Sequence, residues 1–184
     1  IHASLTDSAI MDELAHIPAG YSYVKFFDYR LNPEHPPLLK VLSGLPLLLL
    51  NLNFPIDSRE WQEDINGQWT VGAKFLYESQ NNADTIIFWS RIAPMLLTLL
   101  LIIYIYIWSR EILGDSWALL PTALFALSPS VLAHGHYVTT DIAASFGIFT
   151  ALYYFIKFLS FPSRKNLIVS GIFLGVALLL KFST

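Results

Sequence analysis

The sequence contains no cysteine, which excludes disulfide staples and thiolate chemistry alike. It also has little charge: Asp, Glu, Lys and Arg make up 14% of 184 residues, and a net charge of −3 offers no broad basic face for nucleic acid. No signal-peptide pattern opens it. What it has instead is apolar surface, with 54% hydrophobic residues and a mean hydropathy of +0.51. A soluble domain carries about 45–50% apolar residues spread by periodicity. Here they are gathered into blocks, which points to an integral membrane protein. The chain opens with Ile1 and stops at Thr184, directly after an apolar run. It therefore reads as incomplete at both ends, with at least one helix expected upstream and more downstream.

Residues 1–85 are mostly polar and aromatic. The run Asp12–His16 has helical character, which Pro18 and Gly20 are expected to end. The apolar stretch 38–52 is short for a span of roughly 20 residues and is interrupted by Gly44 and Pro46, so it reads as an interfacial helix. A second surface helix is expected over about 68–80. Membrane spans are expected over about 86–108, 117–133, 140–160 and 166–182. Arg110, Lys157, Arg164 and Lys165 flank two short loops, whereas the short loop 134–140 has no Lys or Arg, which places that loop and the long segment 1–85 outside the cytoplasm. All five histidines and 12 of the 14 acidic residues then fall on the outer face. The fold class is all-α: a polytopic bundle whose long first extracytoplasmic loop carries interfacial helices.

Four features on that face carry chemistry. Asp12 and Glu13 lie four and three residues before His16, on one helical face. That suits a general base with a tuning partner, or simply a solvated face. In Asn32-Pro33-Glu34-His35-Pro36-Pro37 three prolines stiffen the backbone beneath a carboxylate and an imidazole. This suits metal ligation or substrate clamping, or a proline-capped helix entry. In His134-Gly135-His136-Tyr137-Val138-Thr139-Thr140-Asp141, a threonine and Asp141 suit a helix start, and imidazoles two residues apart make a weak metal pair. Arg91 and Lys181, near helix ends, either snorkel or hold a lipid-linked phosphate.

Taken in order, an acidic pair, then E-H-P-P-L-x-K, then an outer loop ending in T-T-D, then a helix ending in lysine, resemble the family 39 glycosyltransferases. These are polytopic GT-C-fold enzymes that include protein O-mannosyltransferases and lipid A aminoarabinose transferases. The resemblance covers essentially the whole sequence. It implies a polyprenyl-phosphate sugar donor, a protein, lipid or glycan acceptor, and a site on the outer face of a bacterial or archaeal cell membrane. Asp12, with Glu13 beside it, matches the catalytic acidic residue, and Asp141 the second one. Lys181 matches a donor-phosphate lysine, with Arg91 as a further candidate. Glu34 and His35 match a pair contacting metal or substrate, which makes a divalent cation the one cofactor to test for, and His16 joins His35 as a substrate contact. The histidine-rich HGHY departs from the pattern. Glycosyl transfer needs a base for the acceptor and charge for the departing phosphate, and direct displacement inverts the anomeric centre. Two rivals stand beside this reading: a metal-dependent lipid-phosphate hydrolase, and a transporter or scaffold, whose charges would line a central path rather than gather on one surface.

Overall fold

The structure is a computed structural model and describes residues 7–182. Among them every regular element is helical: α1 (Met11–Lys25), α2 (Leu38–Gly44) running into a 3-10 turn (Leu45–Leu49), α3 (Arg59–Gln62), α4 (Gln68–Ala73) running into a π turn (Lys74–Glu78), α5 (Ala83–Leu113), α6 (Asp115–Ala126), α7 (Pro129–His134), α8 (Thr140–Ser160) and α9 (Arg164–Leu180). The residues up to Pro94, with His136–Thr139, form one compact unit; Met95–Gly135 and the residues from Thr140 onward form the other.

The first unit is built around α1. Every residue from Ala15 to Tyr23 is buried, so the helix is enclosed on all sides and shows no amphipathic stripe. Pro18 and Gly20 do not end it, contrary to the local expectation, and tertiary packing explains both. Pro18 has no N–H to offer the Leu14 carbonyl, and Gly72 of α4 packs directly on that freed carbonyl. A Cβ at position 72 would lie 1.7 Å from the Leu14 oxygen. Gly20 lies backbone to backbone against α2, where a Cβ would stand 2.3 Å from the Lys40 carbonyl oxygen; Gly44 approaches the Gly20 oxygen as closely. Small residues thus let backbones meet where larger ones would hold them apart. Ile17, Tyr21, Leu47, Phe75, Leu76, Ile86, Ile87 and Val138 close the main apolar cluster.

Helix α5, whose residues from Met95 onward belong to the second unit, and α8 are the two described helices long and apolar enough to cross a membrane. At 1.5 Å per residue, the 21 residues of α8 reach about 31 Å, close to a hydrocarbon core of roughly 30 Å. The run 117–133 does not form one helix. Gly114, at φ 78°, makes the sharp entry to α6, which stops at Ala126, and Pro129 starts α7 afresh at its first turn. Helices α8 and α9 form a close hairpin: a Cβ on Gly147 would lie 2.8 Å from the Ala177 Cα, and Tyr154 stacks on Phe173 with centroids 4.3 Å apart. The Ser163 hydroxyl caps α9 by accepting the Asn166 N–H at 3.1 Å.

Candidate active site

The start of α1 sets two neighbouring carboxylates to different tasks. Glu13 is fully buried and so is Arg91 of α5; Arg91 Nη2 lies 2.7 Å from Glu13 Oε2, and Arg91 Nε lies 2.9 Å from Oε1. The same carboxylate accepts the backbone N–H of Ile10 at 3.1 Å and that of Val138 at 3.1 Å. Arg91 donates further to the carbonyls of Asp7 and Ser8, each at 3.0 Å. This two-pronged pairing is the strong form of a charge-assisted bond, and it leaves Glu13 no free oxygen to offer a substrate. Asp12 is the opposite case. Its side chain is exposed and makes no hydrogen bond among the described residues, in a first turn where a negative charge is favoured by the helix dipole.

The Val138 peptide holds both the acid pair and a histidine. Its N–H reaches Glu13, and its carbonyl stands 2.7 Å from His16 Nδ1. A carbonyl can only accept, so His16 carries its proton on Nδ1 and keeps Nε2 as an acceptor. The His35 ring lies edge-on to it, centroids 5.4 Å apart, and makes no hydrogen bond among the described residues. Burial, the largest influence, lowers the His16 pKa below 6.5, against the pull of the Val138 carbonyl. His136 is lowered too, by burial and then by the charge of Arg91, although it lies 3.3 Å from Asp7 Oδ2. Both groups therefore bind protons less readily folded than unfolded. Acid loads the unfolded chain first, so stability is expected to fall as pH drops through 6.5 towards the folded-state values and to be insensitive to these groups above it. Unfolding midpoints measured between about pH 8 and about pH 5 test this, with His16→Asn flattening the profile.

The proline-rich loop is organised by a residue that sequence reasoning left without a role. Lys40 is buried, and the three N–H bonds of its Nζ are shared among four acceptors: the Asn32 carbonyl at 2.6 Å, the His35 carbonyl at 2.8 Å, Asn32 Oδ1 at 2.9 Å and the Tyr23 hydroxyl at 2.9 Å. The Tyr23 hydroxyl in turn donates to the Leu31 carbonyl. Burial lowers the Lys40 pKa to about 8, with the Glu34 carboxylate pulling the other way. A lysine inside the apolar stretch 38–52 is the available signal. Glu34 accepts from Gln68 Nε2 at 2.7 Å, Asn32 Nδ2 at 3.2 Å and Asn66 Nδ2 at 3.4 Å. Burial pushes its carboxyl up, but the Gln68 amide, a bond to its own backbone N–H, the nearby His35 and the Asn66 amide hold it below the usual range. A metal fits poorly here: no three His, Asp or Glu among the described residues are grouped to hold one, and the Glu34 oxygens are already engaged by amides.

In the second unit the α8–α9 hairpin brings Asp141, in the first turn of α8, to Lys181, just past α9. Lys181 Nζ lies 3.1 Å from Asp141 Oδ1, with the side chains 31% and 73% exposed. An open lysine–carboxylate pair contributes little stability, about 0–1 kcal/mol, so its cationic head can be shared with an incoming anion at small cost. Residues 84–184, more than half of the chain and including Arg91, Asp141 and Lys181, match a family model described as dolichyl-phosphate-mannose-protein mannosyltransferase. The chain belongs to that family. It is accordingly a membrane glycosyltransferase of the mannosyltransferase type, built from helices as the family 39 resemblance implies. Asp12, Glu13, His16, Glu34 and His35 lie ahead of the matched region. No curated protein and no solved structure matches the chain.

Proposed function

We propose that this mannosyltransferase-family protein takes its sugar from a polyprenyl-phosphate donor and passes it to a lipid, protein or glycan acceptor on the extracytoplasmic face. The observation that carries the reading is the exposed Lys181–Asp141 pair at the end of the α8–α9 hairpin, inside the family match. In this reading Lys181 holds the donor phosphate, a role suited to a lysine whose partner is an exposed carboxylate, and Asp141 keeps it aimed until the anion arrives. Asp12 takes the acceptor proton. It is the one carboxylate of the acidic pair with free oxygens, and the attack it assists displaces the polyprenyl phosphate directly, inverting the anomeric carbon. The His16 Nε2 and the His35 ring contact substrate hydroxyls. Glu13 and Arg91 act through position, fixing the α1 first turn against α5 and the Val138 peptide. No step is assigned to a metal.

Full-length protein in nanodiscs, supplied with a panel of polyprenyl-phosphate monosaccharides with and without chelator, is the test. One donor should yield transferred sugar and free polyprenyl phosphate in equal amounts, with the opposite anomeric configuration in the product. Use of a nucleotide sugar in its place, or retention at the anomeric carbon, would overturn the reading.

A further inference from the structure

A cleft of about 220 Å³ opens in the first unit, lined by Asn51, Gln80, Asn81, Asn82 and Thr85, with Leu50 and Leu52 completing the wall. None of the residues the mechanism uses belongs to it. Its polar lining is neutral throughout. Four carboxamides and a hydroxyl line it and no charged side chain does, a lining that suits a neutral ligand over a charged one. A carboxamide offers two N–H donors and a carbonyl acceptor, which matches a group that donates and accepts at each position, as vicinal hydroxyls do.

The cleft is also held in shape. Asn81 ties its two sides together: its Nδ2 donates to the Asn53 carbonyl at 2.8 Å and to the Phe75 carbonyl at 2.7 Å, and its Oδ1 accepts the Asn53 N–H at 3.0 Å. Asn82 Oδ1 accepts the Thr85 N–H at 2.9 Å and opens α5. Leu50 and Leu52 pack on the main apolar cluster, so they give the cleft a fixed aliphatic side. Gln80 sits at φ 59°, a left-handed backbone that a non-glycine residue rarely adopts. With Asn81 and Asn82 engaged, Asn51 and Gln80 are left: neither carboxamide makes a hydrogen bond within the protein among the described residues.

We propose that this cleft is a binding site for one neutral pyranose ring, its hydroxyls met by the Asn51 and Gln80 carboxamides and its C–H face laid on Leu50 and Leu52. The volume, below the roughly 300–1,000 Å³ of drug-sized pockets, suits one ring. In the proposed transferase the ring belongs to the acceptor side, and the site then selects sugar-bearing acceptors. Binding itself does not depend on the chemistry assigned to Asp12.

The test is saturation-transfer NMR on the full-length protein in a sugar-free detergent, with methyl α-mannopyranoside and methyl β-glucopyranoside as probes and a methyl glucuronide as the charged control. At least one neutral glycoside should show transfer at millimolar concentration, and the glucuronide should not. Asn51→Ala with Gln80→Ala should weaken binding about ten-fold or more, the loss expected for two neutral hydrogen bonds. Asp12→Asn should leave it unchanged. The two substituted amides are exposed and unbonded, so an unaltered unfolding midpoint should confirm that the double variant folds. Silence from both neutral glycosides, equal binding of the glucuronide, or transfer undiminished in the double variant would overturn the proposal. Loss of binding in Asp12→Asn would place the ring in the catalytic site instead and overturn it equally.

Discussion

Asp12→Asn should lower sugar transfer by roughly 10²–10⁴-fold, the range for removing a positioned general base, and leave the protein folded. The substitution keeps the shape of the side chain and changes only its charge. Asp12 is exposed and has no hydrogen bond among the described residues to lose. Its one structural contribution is a favourable charge in the first helical turn, about 0.3–1 kcal/mol. The neighbouring Glu13→Gln supplies the contrast. It touches the most buried ion pair in the first unit, so its first effect should be a lowered unfolding midpoint, with activity following stability. Measuring turnover and unfolding on both variants separates two carboxylates that are adjacent in sequence and spend their oxygens on different things. Near-normal turnover in Asp12→Asn would remove the base assignment.

The broad outline of this molecule was legible because it rests on composition and order. Apolar blocks gave a helical membrane protein, and the ordered motifs pointed to the family that the match over residues 84–184 shows. What was not legible depends on contacts distant in sequence. A rule applied to Pro18 and Gly20 alone ends α1, because it cannot see that Gly72 covers the freed Leu14 carbonyl or that Gly44 needs a bare backbone at position 20. The resemblance picks Asp12 out of the acidic pair but gives Glu13 no task of its own, and only Arg91, 78 residues on, shows what Glu13 does. The same holds for His16, whose tautomer is set by a carbonyl 122 residues away. Lys40 was visible within E-H-P-P-L-x-K but read as part of a signature. Its four acceptors make it the post around which that loop folds.

Arg91→Met should cost about 3–5 kcal/mol, the range for removing one partner of a buried pair. That is a large share of the roughly 5–15 kcal/mol that holds a typical domain together. The methionine fills the space but leaves the Glu13 carboxylate buried and uncompensated, and it strands the Asp7 and Ser8 carbonyls. Arg91→Lys should fall between, because a single ammonium can neutralise Glu13 but cannot reproduce the fork that reaches two carbonyls as well. Combining Arg91→Met with Glu13→Gln removes both charges, and it should recover part of the loss, since the uncompensated charge is the largest part of the cost. Chemical unfolding of the wild type, Arg91→Met, Glu13→Gln and the double variant in one detergent gives the coupling energy directly. The comparison also decides what Arg91 does. If it is a positioning residue, stability and turnover fall together and the double variant restores both in part. If Arg91→Met unfolds like the wild type yet transfers no sugar, the guanidinium acts on the donor phosphate, and Glu13 is the group that holds it ready.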